Sequence, residues 1–340
     1  MGANEPTRVE SKELDDQQRR VILERLDRRD DARAEVRAWL DNDCKAFEQA
    51  WLERWNALHA QPPGCLYHYT TADGLRGIFE SQTLWATDAR FLNDTSELSY
   101  ANAIIAKVAA ELIGQCGATI QQTFLNAASL DLLDTFKRMF GTYVVSFCGE
   151  RNLLSQWRAY APGAGYALGF DSNALKRSGS LQRLRPIIYE QAEQKALVEE
   201  VLAFYVRELE RFERGAWEAR DFAVTAALDD AAQILFECIF CFKHPGFHEE
   251  KEWRLVHIPL HDQHRPLFRT GNAGLIPYVE LRPYGPAVGG RNRLPIVDAW
   301  FGPHTDPSLA EAALRQVVED AGYEIPVNGS DLPVRVSPLR

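Results

Sequence analysis

The spacing of apolar side chains along this chain switches between two periods. Phe47, Trp51, Trp55 and Leu58 recur at steps of four, four and three, which places one bulky stripe on a single helix face. Leu98, Ala101, Ile105, Val108 and Leu112 repeat the pattern, and more helix is expected over 119–140. Two long helices are expected over 191–242, with Pro245-Gly246 ending them, and a further helix over 306–321. Short apolar runs read instead as strands: 66–71, 84–87, 143–148, 166–170, 251–259, 277–282, 295–301 and a last one near 334–336. A short helical turn, 155–160, stands before Pro162-Gly163.

Short strands interrupted by helices, without regular βαβ alternation, point to an α+β fold. The sheet is expected to be mixed and mostly antiparallel, with helical insertions. Gln61-Pro62-Pro63-Gly64 stops the first helical stretch. The expected division is therefore a helical N-terminal arm, 1–62, and a main domain, 63–340, carrying a helical insertion at about 191–242. Asp41-Asn42-Asp43 reads as a break that caps the next helix, and Asp73 as the cap of a helix bearing Leu75, Ile78 and Phe79.

Length and charge narrow the function. The chain has 340 residues and a net charge of −10, which disfavours sequence-independent nucleic-acid binding over the whole surface. There is no run of eighteen or more apolar residues, so no membrane span is expected, and the polar start excludes a secretory signal. Six scattered cysteines fit reduced thiols in a cytoplasm. Cys238 and Cys241 form a C-x-x-C near His244, but no second pair completes a zinc site, and core thiols explain them better.

Two segments concentrate chemistry. Leu66-Tyr67-His68-Tyr69-Thr70-Thr71 puts an imidazole and several hydroxyls on one strand. Glu249-Glu250-Lys251-Glu252-Trp253-Arg254-Leu255 reads as a strand whose Glu250 and Glu252 leave the same face of the pleat. Together they would line one cleft. The plainer readings are a satisfied core histidine and a solvated strand start with Arg254 paired to a glutamate. Trp157, Arg158 and Tyr160 offer stacking faces beside a glycine turn, although core packing of Trp157 is as good an account. Asn93, Asp94 and Glu97 read as a metal or substrate cluster, or equally as helix caps. Complete P-loop, H-E-x-x-H, EF-hand and serine-hydrolase patterns are absent.

The series Leu66-Tyr67-His68-Tyr69-Thr70, Phe91-Leu92-Asn93-Asp94, Ser146-Phe147-Cys148, Trp157-Arg158-Ala159-Tyr160, Gly169-Phe170, Glu250 to Leu255 and Gly302-Pro303 resembles domain of unknown function 2971. That bacterial family is often met near phage-defence genes. A second resemblance is to ADP-ribosyltransferases. It implies that His68 holds the adenosine-side ribose of NAD and that Tyr160 or Tyr166 stacks on nicotinamide. Ser146 would support the cleft, and Glu252 would be the catalytic carboxylate with Glu250 its partner. Tyr69, Thr70, Trp157, Arg158 and Arg254 would complete the NAD contacts, with no metal required. The expected function is then an NAD-dependent effector or toxin that modifies a protein or nucleic acid. The alternatives are a non-catalytic nucleotide sensor or interaction protein, and a metal-dependent nuclease using His68, Asp94, Glu250 and Glu252. The arm's aromatic stripe would pack on the main domain or form a homo-oligomer.

Overall fold

The computed structural model describes residues 30–31, 33–58, 61–92, 96–139, 141–161, 165–177, 182–215, 217–259, 265–271, 274–283 and 293–333. Its helices are α1 Lys45–Leu58, α2 Ala72–Ser81, α3 Ser96–Ile113, α4 Thr119–Met139, α5 Leu154–Tyr160, α6 Ser172–Lys176, α7 Gln191–Leu209, α8 Trp217–Ile239 and α9 Pro307–Asp320. The strands are β1 Cys65–Thr70, β2 Leu84–Asp88, β3 Tyr143–Cys148, β4 Tyr166–Asp171, β5 Gln182–Pro186, β6 Glu252–His257, β7 Leu267–Gly271, β8 Gly274–Leu281, β9 Ile296–Phe301 and β10 Val327–Gly329. This is an α+β fold on a ten-stranded sheet. The described strand pairs are antiparallel except β9 with β10.

The sheet branches at β3. One edge of β3 pairs with β6 along six residues, from Tyr143↔His257 to Cys148↔Glu252, and β5 continues beyond β6. The other edge is shared. β2 takes its start, at Asp88↔Tyr143 and Thr87↔Val144, while β1 takes only its end, at Tyr67↔Cys148. From there β4, β9 and β10 extend past β1, and β8 and β7 extend past β2.

Alternation assigns the two faces. Leu66, Val145, Phe147, Leu168, Phe170, Leu255 and Val279 share the back face with α2, α6 and α9, whose Leu75, Ile78, Phe79, Leu175, Leu314 and Val318 close that core. On the front face, Val144 and Val256 meet the helical layer of α1, α3, α4, α7 and α8. Tyr67, Tyr69, Cys148 and Ala167 form a smaller front cluster with Trp157 and Ala161. Gly302 makes room for that cluster, since a Cβ there would stand 2.9 Å from the Trp157 ring.

The N-terminal arm packs on this same chain. Phe47 stacks on Phe204 of α7 at 3.9 Å between centroids, and Trp51 lies against Trp55 at 5.3 Å. Arg54 pairs with Glu200, and Arg211 with Asp43 at 2.7 Å. A cavity of about 350 Å³ remains there, lined by Trp51, Arg54, Trp55, Ala57, Leu197 and Glu200.

Several local expectations are corrected. Asp41-Asn42-Asp43 does not break the helix. Leu40–Cys44 forms a π-turn that runs into α1, with Asn42 bonded to the Ala38 carbonyl. Thr71, not Asp73, caps α2 by accepting from Gly74 N–H. The strands β5, β7 and β10 were not expected. The proposed strand near 334–336 lies outside the described residues.

Candidate functional site

Five ionisable side chains meet on the front face. Lys243 Nζ stands 3.1 Å from Glu97, 2.6 Å from Glu250 and 2.9 Å from Glu252. The Arg254 guanidinium contacts Glu97 at 2.6 Å and Glu252 at 2.7 Å, and donates to the Phe240 carbonyl at 2.9 Å. Three carboxylates against two cations leave one net negative charge. Arg254, at 3% exposure, and Glu252, at 7%, are buried, so these contacts replace water almost completely.

The two glutamates reach Lys243 by different routes. The expected pleat geometry is wrong for Glu250, because Pro245–Glu250 is a 3-10 turn and β6 begins at Glu252. Lys251 between them takes a left-handed conformation, φ 43°, which turns Glu250 back beside Glu252. Burial alone would raise the Glu252 pKa, but Arg254 and then Lys243 hold it down to about 2. Glu250 shifts the other way: burial raises it, and Lys243 offsets this only in part. Both oxygens of Glu97 and Glu252 are engaged, whereas Glu250 bonds Lys243 through Oε2 only. With its side chain 16% exposed, Glu250 is the most accessible carboxylate of the three.

Around this cluster the front face gathers Tyr69, Ser146, Cys148, Trp157 and Tyr160. Burial, then Glu250, pushes the Tyr160 hydroxyl up to about 12. Tyr69 accepts from Leu153 N–H and donates to the Glu150 carbonyl at 2.9 Å. Its ring meets Trp157 edge-on at 4.7 Å. Trp157 Nε1 donates to Asn152, so both rings are packing groups. The Cys148 thiol donates to the Glu250 carbonyl at 3.0 Å, tying β3 to the 3-10 turn. Arg158 is exposed on α5, and Ser146 is partly exposed.

His68 stands on the other side. It pairs with Leu168 of the back-face core, while its neighbour Tyr67 pairs with Cys148, which pairs with Glu252. His68 is therefore separated from both glutamates by the sheet. Its Nδ1 lies 2.9 Å from the Ser146 carbonyl, so Nδ1 carries the proton. The bond bridges β1 and β3 where their ladder has stopped. Burial is the main cause that lowers the His68 pKa, so the ring stays neutral. Thr70 and Tyr166, paired with one another, share that back face.

The expected cleft is thus divided. Glu250, Glu252, Arg254, Ser146, Tyr69, Trp157 and Tyr160 converge, whereas His68, Thr70 and Tyr166 lie behind the sheet. The same separation removes the nuclease grouping of His68 with Glu250 and Glu252. Asn93 and Asp94 lie outside the described residues, among which no group of His, Cys, Asp or Glu is arranged to hold a metal ion. Cys238 and Cys241 are buried core thiols, as expected.

Residues 156–255 match the family model for DUF2971, a protein family of unknown function. The matched segment runs from α5 through β6 and contains Lys243, Glu250, Glu252 and Arg254. No curated protein matches the chain, and no solved structure does. No helix among the described residues is long and apolar enough to cross a membrane.

Sequence reasoning missed Lys243, the centre of the cluster. It sits in Cys241-Phe242-Lys243, a run that reads as the tail of an apolar helix. Glu97 was legible as a polar helix start, and its burial against Arg254 was not.

Proposed function

We propose that this protein is a recognition module that binds a nucleotide on the front face without cleaving it. The observation that supports this reading is the state of the glutamates. Glu252, the residue suited by resemblance to catalysis, spends both oxygens on Arg254 and Lys243, and among the described residues no imidazole is bonded to it. It accepts three charge-assisted hydrogen bonds, so its charge is already balanced by two cations rather than held ready for a developing one. Glu250 bonds Lys243 through Oε2 and keeps Oε1 for a ligand, within electrostatic reach of the Tyr160 hydroxyl. A carboxylate in that setting accepts hydrogen bonds from vicinal hydroxyls, the pattern a ribose presents. In a phage-defence setting such a module would report a nucleotide signal and leave its target unmodified. Titration calorimetry with NAD and ADP-ribose tests this. Saturable binding that weakens at least tenfold in Glu250→Gln is expected, and equal binding by wild type and variant would refute it.

NAD-dependent ADP-ribosyl transfer keeps one supporting observation as a second reading. Ser146 on β3 and Glu252 on β6 lie on one face of adjacent strands, and Glu250 reaches the same cluster from the 3-10 turn. In that case Glu250, not Glu252, would act on the ribose, and His68 would have no part.

A further inference from the structure

Among the described residues, Arg269 is a guanidinium without a counter-charge. It lies on β7 opposite Ile276 and reaches across β8 to donate from Nη2 to Thr87 Oγ1 at 2.8 Å. Its Nε–H is fully buried and meets no acceptor among the described residues. Among the described residues, no carboxylate lies within ion-pair distance of it. Burial lowers its pKa, while His68 and Tyr278 are the titratable groups within electrostatic reach. Holding a cation half out of water without an anion is unfavourable, and a fold tolerates it where an anion arrives as a ligand.

The surroundings suit a phosphate. Thr87 pairs with Val144, and Ser146 is the next front-face residue along β3. Such diagonal neighbours lie about 7–8 Å apart on one sheet face. The Ser146 hydroxyl is partly exposed and has no hydrogen-bond partner among the described residues. Two residues before Thr87, on the same face, Trp85 is 42% exposed. Its ring leans on Tyr278 with centroids 4.6 Å apart. An exposed indole next to a donor-rich cationic spot offers a stacking surface to a base and a fork to a phosphate.

We infer that Arg269, Thr87 and Ser146 form an anion subsite for the phosphate of a nucleoside phosphate whose base rests on Trp85. It goes beyond the recognition face described around Glu250 and shares only Ser146 with it, so the two stand or fall separately.

Titration of the full chain with ADP, pyrophosphate and adenosine, at low and high salt, tests the subsite. ADP and pyrophosphate should bind saturably and more weakly at high salt, and Arg269→Gln should lose at least tenfold toward both. Trp85→Ala should weaken ADP and spare pyrophosphate, and Glu250→Gln should leave pyrophosphate unaffected. A structural role is separable, because Arg269→Gln removes an uncompensated charge and should leave the thermal midpoint of the free protein unchanged or higher. Pyrophosphate binding that is absent, or identical in wild type and Arg269→Gln, would overturn the proposal. So would a lowered midpoint in that variant.

Discussion

His68 and Glu252 belong to strands on either side of β3, yet their side chains leave opposite faces of the sheet. The registers Tyr67↔Cys148 and Cys148↔Glu252 set this directly, because in-register partners share a face and successive residues alternate. An imidazole and a carboxylate that the sequence offers as one catalytic pair are therefore separated by the β-layer. Each has a structural task where it stands.

The task of Glu252 is to balance Lys243 and Arg254. Removing Glu252 takes a directly bonded partner from both buried cations, and removing Lys243 leaves three carboxylates against one cation; breaking such a buried pair typically costs about 3–5 kcal/mol. Lys243→Met and Glu252→Gln should both lower the denaturation midpoint strongly, in urea monitored by circular dichroism. A Glu252→Gln protein as stable as wild type would remove the structural role.

The acid limb of stability should carry the signature of Glu252. Its folded pKa of about 2 lies below the usual 4.5. A depressed carboxylate contributes stability that is complete above pH 4.5 and lost as pH falls toward 2. Glu250, shifted upward, works in the opposite direction as it protonates, which softens the limb without reversing it. The stability gap between wild type and Glu252→Gln should thus be full near pH 6 and shrink toward pH 2. A constant gap across that window would contradict the assignment.

For His68, the neutral ring bridges β1 to the Ser146 carbonyl. His68→Ala should cost about 1–3 kcal/mol, the usual range when a buried acceptor loses its donor. Because burial lowers its folded pKa below the ordinary 6.5, the unfolded chain takes up a proton that the native ring refuses, so this cost should be full at pH 8 and shrink as pH falls through 6.5 in equilibrium denaturation. A cost that grows as the pH is lowered from 8 to 6 would mean that the folded ring is more basic than the unfolded one, and would contradict the assignment.

Trp51 tests how the N-terminal arm is held. It is 1% exposed in the helical core, so Trp51→Ala should cost about 3–5 kcal/mol. Melting of the arm alone, with the rest of the near-ultraviolet signal preserved, would show that it does not share the core.

Much of this fold was legible because its elements carry strong periodicity. Phe47, Trp51 and Trp55 announce a buried helix stripe, and Tyr143 to Cys148 is a strand whose bounds coincide with the apolar run. β5 was not legible, since Gln182-Arg183-Leu184-Arg185-Pro186 has the composition of a loop and is a strand only because β6 pairs with it. β10 is three residues long, too short for any period to show. The chemistry-bearing residues were chosen correctly as types but not as partners. Pairing of Arg254 with a glutamate was legible as the plainer reading of that strand, while the left-handed Lys251 that brings Glu250 to them has no sequence signal, as it is not glycine. Which face of β1 met which face of β6 depended on β3, and no local pattern encodes that register.

The most direct test is an incubation of the purified protein with NAD, following binding by calorimetry and free nicotinamide by chromatography in the same samples. A recognition module should bind NAD through Glu250 and release no nicotinamide over hours. Nicotinamide release that stops in Glu252→Gln, with that variant still folded, would contradict the account.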